Sequence, residues 1–448
     1  MTRRILFLAL SGVRVQDPEL LALGLTLPGF VERSQVIASL PSLGLLTLAA
    51  FTPDDWELSY REWDQSDDHL AENIAAEGWS AVAISSLTAR IDDAYTLCNR
   101  LKVLGITTIL GGLHASAMPE EALSHADIVV QGEGELVWPT LLNDLSHNRH
   151  KRFYTSFEGG RPSHQKLPHR TPRYDLLDPS RYNRLTLQAT RGCPIACSFC
   201  GASRTISPHR IHPLDRIRAD LDAIRRIWPR PFIELADDNT FINPAWGLEL
   251  CHLFQEQSVR WFTETDIRIA RHPRLLDALA ASGCRQVLIG FESSDPASLA
   301  GLDPGHLKSR WAGNIRDAVQ AIQGCGISVN ACFILGLDTQ DASCFGKTLD
   351  FIDYLGAVEV QITLQTPFPG TALYQTLLQQ GRLDHGKIWS RCTLFDITHQ
   401  PARMSREELR MGFHRLMAET YHPDRVSQRR RLLKKMLADK QLDSSISE

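Results

Sequence analysis

Short aliphatic runs alternate with amphipathic stretches along most of the chain. Over residues 1–145 the runs at 4–10, 57–62, 81–85, 107–110 and 128–131 read as strands, each closed by a turn. Between them, residues 41–51 and 92–104 carry apolar side chains at helical spacing, as in Ala94, Leu97, Cys98, Leu101 and Leu104. Strands joined by crossover helices predict a parallel sheet covered on both faces. Residues 146–184 break the rhythm with His, Arg, Ser and the prolines Pro162, Pro168, Pro172 and Pro179, and read as a linker. From residue 185 the alternation resumes with a longer repeat. Strands at 185–189, 232–236, 260–263, 286–290, 328–335 and 359–364 alternate with helices at 214–227, 245–257, 273–281, 310–323, 343–355 and 372–380. Six βα units cannot complete an eight-stranded barrel, so the pattern predicts a partial (β/α)6 barrel over 185–381, its site at the carboxyl ends of the strands. Residues 382–448 read as a small helical C-terminal region fraying into a Ser-rich end.

Composition narrows the class. Lys and Arg number 48 against 52 Asp and Glu, a net charge of −4 that excludes an electrostatic nucleic-acid binder as the default. The 43% hydrophobic and 22% charged content is that of a globular protein, and 448 residues suggest two or three domains. No apolar run approaches the ~18 residues of a membrane span. The opening apolar run, residues 5–10, is shorter than a signal-peptide core, and a cytoplasmic location is expected.

In the front sheet, three predicted strand ends are polar or glycine-rich: Ser85-Ser86-Leu87, Gly111-Gly112 and Gly132-Glu133-Gly134-Glu135. Such ends line the crevice where parallel α/β sheets bind ligands. Of ten cysteines, seven (Cys98, Cys251, Cys284, Cys325, Cys332, Cys344, Cys392) are scattered and read as core thiols. The other three, Cys193, Cys197 and Cys200, fall within eight residues in the string Arg191-Gly192-Cys193-Pro194-Ile195-Ala196-Cys197-Ser198-Phe199-Cys200-Gly201. Gly192, Pro194 and Gly201 disfavour a buried helix, and a loop around a metal centre fits better. Three thiolates on a cubane 4Fe-4S cluster leave one iron open to an outside molecule. The competing reading is a closed zinc site with His209 or His212 as fourth ligand.

The cysteine spacing and the strand-end segments resemble the radical S-adenosylmethionine (SAM) enzymes, and the resemblance extends over residues 180–385. It implies that the open iron binds the amino and carboxylate groups of SAM, and that a reduced cluster cleaves SAM to a 5′-deoxyadenosyl radical, with an external flavodoxin- or ferredoxin-type electron donor. Phe199 matches the family's aromatic before the last cysteine, beside adenine. The resemblance also implies SAM contacts at Asp238 in Asp237-Asp238-Asn239, at Thr263 in Thr263-Glu264, at Glu292 and Ser293, and at Ile334 and Leu335. The segment Pro367-Phe368-Pro369-Gly370-Thr371 completes a familiar turn.

The first half resembles the flavodoxin-like, Rossmann-type cobalamin-binding domain that precedes the barrel in a large radical SAM subgroup. The matching residues are Ser85, Leu87, Gly111, Gly112, Gly132 and Glu133, within segments that include Leu110-Gly111-Gly112-Leu113-His114-Ala115. The cobalt-ligating Asp-x-His-x-x-Gly motif is replaced by Leu10-Ser11-Gly12-Val13, and His114 reads as a loop residue, so cobalamin is expected without a protein histidine on cobalt. The implied activity is a cobalamin-dependent methyltransferase acting on an unactivated carbon of a small molecule, lipid or tetrapyrrole. A non-methylating radical reaction (cyclisation, dehydration, oxidation or rearrangement) and a non-enzymatic iron-sulfur or zinc scaffold remain as alternatives. Cys332 and Cys392 are considered near substrate, with core thiol the simpler reading. The run Arg425, Arg429, Arg430, Arg431, Lys434, Lys435 beside Val426, Leu432, Leu433, Met436 and Leu437 is either a solvated helix face or a peripheral contact with an anionic membrane.

Overall fold

A computed structural model describes residues 3–10, 12, 17–22, 40–63, 69–310, 314–384 and 388–446. Strands β1 (Arg3–Leu10), β2 (Trp56–Glu62), β3 (Ala81–Ser86), β4 (Thr107–Gly111), β5 (Ile128–Gln131) and β6 (Phe153–Thr155) form one parallel sheet in the order β2-β1-β3-β4-β5-β6. The first five follow the flavodoxin-like order, with the chain reversing direction across the sheet between β1 and β3. Helices on both faces bury the aliphatic runs, which is why β1 and β3 read as nearly continuous apolar stretches rather than alternating ones. Ser42 caps the helix Leu43–Ala50, accepting from the Leu45 amide at 3.4 Å.

β6 corrects the reading of residues 146–184 as linker. It extends the sheet beside β5, and Ser156 just past its end donates its amide to the Gln131 carbonyl at 3.1 Å. The rest of the segment is pinned too. The Tyr174 hydroxyl donates to the Thr186 carbonyl (3.0 Å), and Tyr182 and Tyr60 both donate to Glu62 Oε1 at the end of β2.

In the second half, β7 (Leu185–Leu187) is followed by the two-residue strands β8 (Thr190–Arg191) and β9 (Arg210–Ile211), which pair antiparallel. Then come β10 (Phe232–Leu235), β11 (Arg260–Thr265), β12 (Cys284–Glu292), β13 (Ser328–Leu335) and β14 (Glu359–Leu364). The parallel sheet runs β14-β13-β12-β11-β10-β7, six strands in sequential order with β7 and β14 left unpaired to each other, as an open partial barrel requires. Alternate residues face outward: Ile233, Leu235, Trp261, Val287, Ile289, Val329, Phe333, Val360 and Ile362 join the surrounding helices in one core. The helix expected over 310–323 is seen as Ile315–Gly324, and residues 311–313 lie outside the described residues.

The C-terminal region is helical at Arg406–Thr420 and Pro423–Ile446, so the helix continues through the Ser-rich stretch instead of fraying before it. Arg425 pairs with Asp353 (2.5 Å), Arg430 with Glu359 (3.7 Å), and buried Arg429 donates to the Thr420 carbonyl at 3.0 Å. These three cations are spent on the protein's own surface. No described helix is long and apolar enough to cross a membrane.

Candidate functional site

The three cysteines sit on the loop that β8 and β9 close into a hairpin. Its base is tied to the barrel: the Gly192 amide donates to Ser203 Oγ (2.9 Å), and that hydroxyl donates to Asp238 Oδ2 (2.8 Å) beyond β10. Its middle is clamped by the Ser198 amide to the Leu302 carbonyl (2.7 Å) and by the Leu373 amide to the Ser198 carbonyl (2.9 Å). Gly192 turns the chain at φ +73, and a Cβ there would lie 2.6 Å from the Pro208 carbonyl oxygen. Gly192→Ala therefore combines a left-handed backbone with a clash against main chain, a penalty of about 1–3 kcal/mol at the loop. Iron per chain after anaerobic reconstitution is expected to fall below wild type while the far-ultraviolet circular dichroism stays unchanged.

The donor set fits an iron-sulfur cluster better than a single ion. Burial pushes the thiols up, Cys197 to about 12 and Cys200 to about 11, so thiolates persist there only around a cationic centre. A tetrahedral zinc ion draws its sulfurs to within ~4 Å of one another. Among the described residues no three His, Cys, Asp or Glu side chains converge closely enough for one ion. His209 and His212 stay outside the cysteine set: His209 Nδ1 lies 3.0 Å from the Gly192 carbonyl oxygen, and His212 Nδ1 accepts from Arg216 (3.1 Å). A cubane spreads its three cysteines over three irons, so it asks for no such convergence on one ion.

The residues read as SAM contacts gather around this loop, with one shift of register. Phe199 packs with Leu299, Leu302, Ile334 and Leu337 in a small apolar cluster of its own. Glu292 adopts φ +65 where the β12–β13 pairing slips, and its Oε1 accepts from Lys308 Nζ at 2.5 Å. Lys308 also donates to the Gly290 carbonyl (3.2 Å). Ser293 Oγ accepts from Gln340 Nε2 (3.5 Å), and Gln340 braces the turn after β13 by donating to the Ile334 carbonyl and accepting from the Gly336 and Leu337 amides. Leu335 lies in the outer core, its carbonyl taken by the Gln365 amide.

Thr263 needs correction. The pleat of β11 turns it to the outer face with Trp261 and Thr265, fully buried, its hydroxyl 2.5 Å from that of Thr240. Its neighbour Glu264 is the residue that looks into the barrel. Asp238 serves the loop base described above, and Asp237, held by the Ala189 amide and Thr240, is pushed up to about 6 by burial.

On the front sheet, Ser85 and Gly112 adjoin at the ends of β3 and β4, a Cβ on Gly112 falling 3.2 Å from Ser85 Oγ. Leu87, beyond β3, is an exposed large apolar side chain, and Gly111 is half-buried. Serine, two glycines and an uncovered leucine at neighbouring strand ends are compatible with a flat, partly apolar ligand. Gly132 permits close approach of β6, since a Cβ would meet Ser156 Oγ at 2.3 Å.

Glu133 has a different task from the one its motif implies. Its carboxylate, with no accessible surface, accepts from Ser207 Oγ (2.7 Å) and from Arg210 Nε and Nη2 (3.1 and 2.9 Å), and lies 3.6 Å from Arg191. Glu135 pairs with Arg191 at 2.8 Å; burial works against its charge, but the guanidinium wins and holds it below the ordinary range. The front-domain loop after β5 is thus bolted to both ends of the cysteine hairpin. Lys308, Gln340, Arg191, Arg210 and Ser203 were missed by sequence reasoning. Only the two arginines, flanking the cysteine loop, carried a signal.

His114 is not in a loop. It lies on the helix Leu113–Ala117, buried edge-on against Trp389 with ring centroids 4.9 Å apart, and is committed to the contact between front domain and C-terminal region. Cys392 is buried in that same contact, while Cys332 faces the barrel interior.

Residues 35–142 match the model of the B12 binding domain, and residues 187–352 match that of the Radical SAM superfamily. The chain is 26% identical over 392 residues to the bacteriochlorophyllide d C-12(1)-methyltransferase of Chlorobaculum tepidum, covering 86% of this chain and 84% of that one. It is 27% identical over 365 residues to the hopanoid C-2 methylase of Rhodopseudomonas palustris, covering 78% of this chain and 66% of that one. Its fold resembles that of the radical SAM methyltransferase TsrM from Kitasatospora setae, solved with cobalamin and a [4Fe-4S] cluster, at a TM-score of 0.69 and 14% identity over 95% and 90% of the two chains. The chain therefore joins a B12-binding domain to a radical SAM domain. It is a cobalamin-binding radical SAM protein, a class that works with a 4Fe-4S cluster, SAM and cobalamin.

Proposed function

We propose that the chain is a cobalamin-dependent methyltransferase that uses radical SAM chemistry on an unactivated carbon of a small molecule, with polycyclic tetrapyrrole or hopanoid compounds as the nearest substrate types. The observation that carries this reading is the bolting of the front-domain loop, through Glu133 and Glu135, onto Arg191 and Arg210 around the cysteines. It makes the ligand end of the front sheet and the catalytic end of the barrel face one another. The names of the two relatives support methyl transfer.

When bound, the cluster supplies an electron to split SAM and the cobalamin supplies a methyl group. Cys193, Cys197 and Cys200 would hold the cluster. Phe199 and Ile334 would hold the adenine, with Gln340 keeping the turn after β13 rigid. Glu292, neutralised by Lys308, and Ser293 face the ribose and methionine portions. Ser85, Leu87, Gly111 and Gly112 would line the cobalamin side, and His114, packed on Trp389, is not offered to cobalt. A flavodoxin- or ferredoxin-type donor would supply the electron, in a cytoplasm where thiols stay reduced.

Trideuteromethyl SAM, given with reductant, cobalamin and a small-molecule extract, tests the reading by mass spectrometry. A product carrying the labelled methyl, with both S-adenosylhomocysteine and 5′-deoxyadenosine released, is expected. Deoxyadenosine with an unlabelled, altered product would replace methylation by ring closure or oxidation.

A further inference from the structure

The interior of a closed βα barrel is normally filled by bulky aliphatic side chains. Here, beside Phe232, Phe262 and Leu288, many inward positions are polar: Thr186 on β7, Glu234 on β10, Glu264 on β11, Gln286 on β12, Asn330 and Cys332 on β13, and Gln361 on β14. Several are unsatisfied. Thr186 Oγ1 and Asn330 Oδ1 are buried without a hydrogen-bond partner, as is Gln365 Oε1 just beyond β14. Orphaned polar atoms of this kind are rare in folded proteins, and each costs free energy unless something polar enters to meet it.

Glu264 stands out within this set. It faces Glu234, Asp237 and Asp238 from β10 and the loop after it, Glu292 from β12, and Cys332 from β13. Each neighbouring acid is occupied: Glu234 by Arg184, Asp237 by the Ala189 amide and Thr240, Asp238 by Ser203, Glu292 by Lys308. Among the described residues Glu264 has no partner. Protein crowds its carboxyl, yet the residue keeps exposed surface on the inward side of an open barrel.

We infer that Glu264 is the polar anchor of the substrate pocket, taking a hydroxyl or amine of the substrate by a hydrogen bond inside the barrel. The assignment rests on the reading of this barrel as the site of a small-molecule reaction, and it narrows the substrate to one bearing a hydrogen-bond donor near the reacting carbon. Anchoring at a fixed strand end would hold that carbon against the cysteine loop. The carboxyl is held ready for this role: burial and then the surrounding acids, Glu234 first, push it up to about 8, so it is mostly protonated at neutral pH and can donate or accept.

A carboxyl enclosed among other acids should destabilise the substrate-free protein, and the sign with pH is fixed. The folded-state value lies above the unfolded one, so the protein loses stability as pH rises from about 4.5 towards 8, where the unfolded chain has released a proton that the folded chain still binds. Glu264→Gln removes that loss. In cluster-loaded protein without substrate, the variant should unfold at the wild-type temperature near pH 5 and about 1–3 °C above it at pH 8. Glu264→Asp should keep the wild-type pH trend.

The second arm uses the small-molecule extract with unlabelled SAM and follows 5′-deoxyadenosine. Wild type should be stimulated by the extract; Glu264→Gln should need at least about tenfold more of it for the same stimulation. A pH-independent stability difference, or a variant less stable than wild type at pH 8, overturns the anchor, as does unaltered stimulation. If the extract stimulates neither protein, the unfolding arm decides alone. Stimulation without methyl transfer would sink the methyltransferase reading and leave Glu264 standing.

Discussion

Cys197→Ala is expected to abolish SAM cleavage and leave reconstituted protein without the low-temperature electron paramagnetic resonance signal of a reduced cubane. Cys197 is the most buried of the three loop cysteines, and its backbone is folded tightly into the loop, with the Cys200 amide donating to the Cys197 carbonyl at 3.2 Å. Losing one of three thiolates leaves two irons open, and such a cluster sheds iron. The contrast is Cys251→Ala, a thiol buried in the barrel core, which should cost about 1 kcal/mol of stability and leave the signal intact. If Cys197→Ala retains full iron and cleavage, the loop is not the cluster site.

Glu133→Ala should give the second largest effect. The side chain is wholly enclosed and meets two arginines and a serine, so truncation strands buried guanidinium groups, a cost of about 3–5 kcal/mol. Because the network joins the two halves, methyl transfer should fall much further than SAM cleavage, and calorimetry should show a lowered or split transition. Glu77→Ala, which breaks the largely exposed Arg61 pair, should change stability by no more than about 1 kcal/mol. Equal losses of cleavage and transfer in Glu133→Ala would mean that the network only supports the fold.

The architecture was readable because the periods differ so clearly. Aliphatic runs such as Ile5 to Leu10 and Ser328–Leu335 admit few readings, and sequential βα units leave little freedom in strand order. β6 escaped notice because a three-residue strand among polar residues and prolines carries no period, and only pairing with β5 defines it. The cysteine loop announced itself through spacing, since three thiols within eight residues have few other uses. Thr263 reads as the site residue in place of Glu264 because strand phase appears only on packing: Trp261 turns outward against Phe254 of the preceding helix, with ring planes at 83°, and Thr263 shares that outer face. Glu133 looked like a ligand residue because the arginines that consume it lie in the other half. Lys308 could not be found at all, since nothing in Gly305-His306-Leu307-Lys308 ties it to Glu292 before the chain folds.

The most direct measurement of the central claim is Mössbauer spectroscopy of protein loaded with iron-57, before and after SAM is added without oxygen. Three cysteine ligands predict a cubane in which a single iron site changes its isomer shift when SAM binds while the other three do not. A spectrum indifferent to SAM, or a centre that takes up zinc and no iron, would contradict the account.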